Sequence, residues 1–146
     1  MRHRHQRLDR ELFVLQRALD EQSGGDHRFE LIVAAAQRSS ALLRHMVRNG
    51  YDLNQFNEHG RTPLYWLIGE GDLDAVNRLL ALKADPNRCQ AGDVSPLMYA
   101  AHLGNLALVE TLLIHGANAA YQDRDGATAA QIAEQAGHGA VRERLG

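Results

Sequence analysis

A chain of 146 residues, 45% hydrophobic and 23% charged, has the balance of one compact globular domain and excludes a disordered or fibrous polymer. A formal net charge of -2 gives no sign of the basic stripe that a nucleic-acid binder carries, and no apolar run approaches the ~18 residues of a membrane span. Cys89 is the only cysteine, which excludes an intrachain disulfide and fits a reducing compartment, and aromatic residues at 5% leave the core to Leu, Ala, Val and Ile.

In chain order, Met1 to His5 is locally basic and has no apolar face, so it reads as a solvated terminus. His3 and His5 lack further ligands nearby, and no metal site is expected of them. The first 25 residues hold no apolar segment followed by a small-residue cleavage site, so no secretory signal is read and the cytoplasm is the expected location. Leu8, Leu12, Leu15 and Leu19 then recur at helical spacing and predict an amphipathic helix over 6–21. Two readings fit it. It is either a coiled-coil seam for a dimer or a cap on the first repeat of the chain, and the cap is preferred because so short a seam makes no stable coiled coil. A loop over 22–26 comes next.

Beyond it the chain repeats with a period of 33. Thr62-Pro63-Leu64 superposes on Ser95-Pro96-Leu97 and on Thr128-Ala129-Ala130, Gly71 on Gly104 and Gly137, and Leu79-Leu80 on Leu112-Leu113. Shifted backwards, Leu64 meets Leu31, but Thr62 and Gly71 meet Phe29 and Arg38, so the turn chemistry of the first copy is lost. In each unit a Thr or Ser caps a helix and Pro can occupy its first position, where a missing N–H costs nothing. A Gly stops that helix by adopting the left-handed conformation. A second helix completes the unit, with apolar positions Val76, Leu79, Leu80 and Val109, Leu112, Leu113. Paired helices are predicted at 31–37 and 40–48, 63–69 and 73–82, 96–102 and 106–115, and 129–135 with a short end helix.

Gly60-Arg61-Thr62-Pro63-Leu64, Gly71, Leu79-Leu80 and Asp85-Pro86-Asn87 resemble the ankyrin repeat, and Asn105-Leu106 with Val109 to Leu113 and Gly116-Ala117-Asn118 match it more closely still. The resemblance covers about residues 25–146. It implies an all-α solenoid of stacked helix-turn-helix units, with turn fingers projecting to one side and a concave face made by the first helices. It also implies a protein that binds other proteins. The corresponding division is 1–24 as tail and capping helix, 25–54 as a degenerate repeat, 55–87 and 88–120 as full repeats, and 121–146 as a C-terminal capping repeat, together one folding unit. Two departures bracket one finger: Lys83 stands where the second-helix stop wants Gly, and Gly92-Asp93 puts the turn glycine one place early.

In that register Trp66 and Tyr99 are equivalent and fall on adjacent rungs of the concave side, with Tyr65 and Met98 before them and Glu70, His102 and Leu103 at the ends of the same helices. They are read as partner-binding, because Trp and Tyr offer large contact area at small entropy cost. The alternative is that the aromatics fill gaps between repeats. Glu58, His59, Arg61, Val94, Arg124 and Asp125 at the finger tips are read as rim contacts. No catalytic constellation is found. Cys89 as nucleophile with His59 or His102 as base has no local activating signature, and Asp123 to Gly126 resembles part of a calcium loop whose first and twelfth ligands would be Tyr121 and Ile132. The expectation is a non-enzymatic adaptor or inhibitor of a folded protein, monomeric when free and without a cofactor. An immunity protein occluding an enzyme is the second reading, and an enzyme accessory domain the third.

Overall fold

Caps and glycines recurring every 33 residues dictate the architecture. The computed structural model describes the backbone of residues 2–22 and 26–146, with side chains from Gln6 onward. Met1, the side chains of His3 and His5 and the Ser23 to Gly25 part of the predicted loop lie outside the described residues. Among the described residues there are nine helices and no strand: α1 (Arg2–Gln22), α2 (Arg28–Ala36), α3 (Ser40–Arg48), α4 (Pro63–Gly69), α5 (Leu73–Ala81), α6 (Pro96–Leu103), α7 (Leu106–Ile114), α8 (Ala129–Gln135) and α9 (Gly139–Leu145). This is an all-α repeat solenoid. α2 starts at Arg28, slightly earlier than the apolar pattern predicts. α1 begins at Arg2, earlier than the predicted 6–21, since no Gly or Pro in residues 2–5 stops it; whether this end is solvated lies outside the described side chains.

Thr62, Ser95 and Thr128 cap α4, α6 and α8, each side-chain oxygen accepting from the N–H three residues on. A second row of caps, on α3, α5 and α7 but not α9, is hidden in the sequence by its mixed chemistry. Ser39 accepts from Leu42 N–H, Asp72 from Ala75 N–H and Asn105 from Leu108 N–H. Each such cap contributes roughly 1 kcal/mol to its helix. In the degenerate first copy His27 stands at the N-cap of α2 without a side-chain cap bond. The far end of α2, where Arg38 replaces the glycine, is tied instead by Arg78, whose guanidinium donates to the Ala36 carbonyl at 2.8 Å.

The core runs the length of the stack in registers of 33. Leu42, Ala75, Leu108 and Val141 are all buried at one repeat position, and Met46, Leu79 and Leu112 at another. α2, α4, α6 and α8 pack side by side more closely than α3, α5, α7 and α9, so the stack curves with the first helices on its concave side. α1 lies against α2 and α3, burying Leu8 fully and Leu12, Leu15 and Leu19 in part. On the same helix Asp9 accepts from the buried His45 ring at 2.7 Å, and Asp20 stands 3.5 Å from the buried His27. Phe13 and Val14 face solvent.

Lys83 has φ of 70°, the one non-glycine residue described at positive φ, and so takes the left-handed stop that Gly50 and Gly116 take at the same repeat position. Its Cβ costs about 1–2 kcal/mol there. Lys83→Gly is expected to stabilise the fold by about 0.5–1 kcal/mol, because part of the relief returns as unfolded-chain entropy. A urea midpoint that falls would overturn that account.

Candidate functional site

Three fingers connect the units, and the irregular middle one ties them together. In the outer two, Asn57 and Asp123 fold the turn onto their own side chains: Asn57 accepts from His59 and Arg61 N–H, and Asp123 from Asp125 and Ala127 N–H. The equivalent residue of the middle finger is Gln90, one methylene too long for the same bonds. There the turn glycine comes early, at Gly92 with φ of 76°, and Asp93 reaches outwards instead. Arg61 donates to its carboxylate at 3.0 Å, and Tyr121 Oη donates to its carbonyl at 2.8 Å. The adjacent Gly92 carbonyl accepts from Arg124 N–H at 3.0 Å. The early glycine is therefore part of a finger-to-finger ladder. Burial, then the neighbouring Cys89 side chain, raises the Tyr121 phenol above its ordinary value, so it stays a neutral donor.

Beside the ladder stands an aromatic column. The Arg61 guanidinium lies 4.5 Å over the Tyr65 ring, and Tyr65 stacks on Tyr99 at 4.2 Å and 10° between planes. Burial raises the Tyr65 phenol, opposed by the charge of Arg61. The column exists because Gly69 has no side chain. A Cβ at that position would lie 2.8 Å from the Tyr99 hydroxyl. Helical Gly→Ala ordinarily stabilises by about 1 kcal/mol. For Gly69→Ala that gain is expected to be absent, with the near-ultraviolet tyrosine signal changed; a gain of the full amount would show that Tyr99 moves aside without cost.

Trp66 stands next to this column and is 47% exposed. With Tyr65, Tyr99, Glu70, Arg61 and His59 it lines a groove of about 310 Å³. On its other side it borders a larger groove of about 670 Å³, where Phe29, Val33 and Gln37 of α2 and its C-cap face Phe56, Glu58 and His59 of the first finger. Trp66 is thus the ridge between two concave-side hollows. Asp125 belongs to a third hollow with Asp123, Gln131 and Glu134, and Arg124 is exposed on the same finger.

Several sequence expectations are corrected. Met98 is 1% exposed. It sits on α6 between α4 and α8 and, being apolar along its whole length, turns into the core, so it offers a partner no surface. Tyr99 is half-buried by its stack, so it fills an inter-repeat gap as well as lining the groove. Arg61 and Val94 are half-buried, Arg61 held by Asp93 and Val94 packed on the core, so neither is a free rim residue. Glu70, His102, Leu103, Glu58 and His59 are exposed, and the carbonyl of His102 accepts from His138 Nε2 at 2.9 Å. Gly69, Asp93, Tyr121, Phe29 and Phe56 belong to the site without being candidates on sequence grounds. Among the described residues no three His, Cys, Asp or Glu side chains gather as a metal would need, and no helix is long and apolar enough to cross a membrane.

A family model of ankyrin repeats in three copies matches residues 31–123 and again 69–145. The chain belongs to the ankyrin-repeat family. Ankyrin repeat domain-containing protein 63 of Homo sapiens is 32% identical over 142 residues, covering 92% of this chain and 37% of that protein. Ankyrin repeat and SOCS box protein 14 of Mus musculus is 34% identical over 95 residues, 65% of this chain and 15% of its own length. Potassium channel AKT1 of Oryza sativa subsp. japonica shows 37% identity over 81 residues, 54% of this chain and 9% of the channel. The chain therefore spans little more than a third of the first of these relatives, and less of the others. Ankyrin repeats are protein-interaction modules.

Proposed function

We propose that this ankyrin stack is a non-enzymatic adaptor or inhibitor that grips a folded protein through its fingers and the concave face of α2, α4 and α6. One observation carries the reading: the sole tryptophan of the chain, Trp66, stands 47% exposed on the ridge between two concave hollows. A large side chain left half in water beside apolar walls has most to gain from being covered. The finger ladder supports the same reading. Loops already tied to one another lose little freedom on docking, which lowers the entropic cost of association. Cys89, the one thiol, is half-buried and engaged with Tyr121, which favours binding over covalent chemistry.

The test begins with a partner captured from lysate of the source cell and purified. Hydroxyl-radical footprinting of the complex should then protect Trp66, Phe29, Phe56 and His59. Protection confined to the outer helices, around Ile114 and Val47, would overturn the concave-face reading.

A further inference from the structure

Resting on that reading, we infer that the groove of Trp66, Tyr99 and Glu70 receives an arginine side chain of the partner protein. The charge pattern of the concave side points there. The cationic or protonatable side chains lining the two grooves are His27, Arg28, His59 and Arg61. Each stands beside a carboxylate: Asp20, Asp26, Glu58 and Asp93 in turn. Glu30 and Glu70, on the same surfaces, have no hydrogen-bond or ion-pair partner for their side chains among the described residues. Two carboxylates are left over, and no lining cation is left to meet them. A basic partner group supplies what is missing, and an acidic one is repelled.

Geometry narrows the cation to a guanidinium. Trp66 and Glu70 are four residues apart and joined by the Glu70 N–H to Trp66 carbonyl bond of 3.2 Å, so the indole and the carboxylate are neighbours on one stripe of α4 and its C-cap. An aromatic face beside a carboxylate suits a planar cation that stacks with its face and donates from its edge. The groove already holds one such contact of its own, Arg61 over Tyr65 at 4.5 Å. Because Asp93 accepts from Arg61 at 3.0 Å, that internal guanidinium is neutralised and leaves the hollow open to a second cation.

Trp66 reports on its own groove, since no other tryptophan is present. The intact chain is titrated with N-acetyl-arginine amide and, separately, with its neutral isostere N-acetyl-citrulline amide. Indole fluorescence and the indole N–H cross-peak are followed in both titrations. Arginine is expected to give a saturable shift with a midpoint on the order of 10 mM, as befits a single stacked cation. Citrulline should give none. Glu70→Gln, at an exposed position where folding is not at stake, should weaken the arginine response about fivefold or more, and 0.5 M salt should do likewise. Equal shifts with citrulline, or an unchanged midpoint in Glu70→Gln, would overturn the inference. The two proposals separate cleanly with the purified partner. If Trp66→Ala abolishes partner binding while arginine gives no specific shift, the docking face stands and the arginine site falls. If arginine titrates as described and Trp66→Ala leaves partner affinity unchanged, the docking face falls and the partner's arginine with it, leaving only a groove that takes free guanidinium.

Discussion

Leu112→Ala should lower the melting temperature by roughly 5–20 °C, a larger stability loss than any surface truncation of the stack should cause. Leu112 is fully buried on α7 at the repeat position that Met46 and Leu79 occupy in their own units. Removing its three outer carbons forfeits their transfer energy and leaves a cavity between helices that cannot close freely, together about 2–5 kcal/mol. A solenoid amplifies the loss, because α5, α7 and α9 pack mainly against their own and adjacent units and each interface supports the next. Thermal denaturation followed by circular dichroism is the measurement. An unchanged midpoint would mean that the register of the apolar rows is wrong.

Trp66→Ala should raise the dissociation constant for the purified partner about 30-fold or more while leaving the fold intact. Loss of a central aromatic anchor typically costs ~2 kcal/mol or more, which is that factor. The fold should survive because Trp66 is half in solvent and is not part of the buried core. Tyr99→Ala is a less clean test. It removes the stack on Tyr65 and uncovers Gly69, so stability and affinity should fall together. Glu58→Ala, at an exposed finger tip, should change mainly the association rate and its salt dependence. Unchanged affinity in folded Trp66→Ala would turn attention to the other exposed apolar groups, Ile114 on α7 and Phe13 and Val14 on α1.

Legible and illegible features of the sequence divide along a physical line. Positions fixed by backbone geometry are legible: Gly71, Gly104 and Gly137 end first helices at positive φ, and Lys83 is left-handed because its repeat position demands it. Apolar rows such as Leu31, Leu64 and Leu97 are legible for the same reason, since a periodic stack buries equivalent positions alike. The second-helix caps escape because Ser39, Asp72 and Asn105 share a function and not an identity. Exposure on the concave side escapes more deeply. Tyr65 and Met98 are equivalent in register, yet one is half-buried along the groove and the other is engulfed. Tyr99 lies down only because Gly69, on the neighbouring unit, vacates the space. Such outcomes depend on pairs of residues in different repeats. The signal present in the sequence is Gly69 itself, a glycine closing α4 two places ahead of the Gly71 stop, where a stop of its own is not needed.

Asp93 bears on how the assembly would carry mechanical load. Its carboxylate holds Arg61 of the preceding finger, its carbonyl holds Tyr121 at the base of the next, and the carbonyl just before it holds the backbone of Arg124. A tug on any one finger is thus passed sideways through short polar links, and three loops respond as a single plate. A bound molecule pulled along the stack would meet all its contacts in shear at once, with no free edge from which to peel.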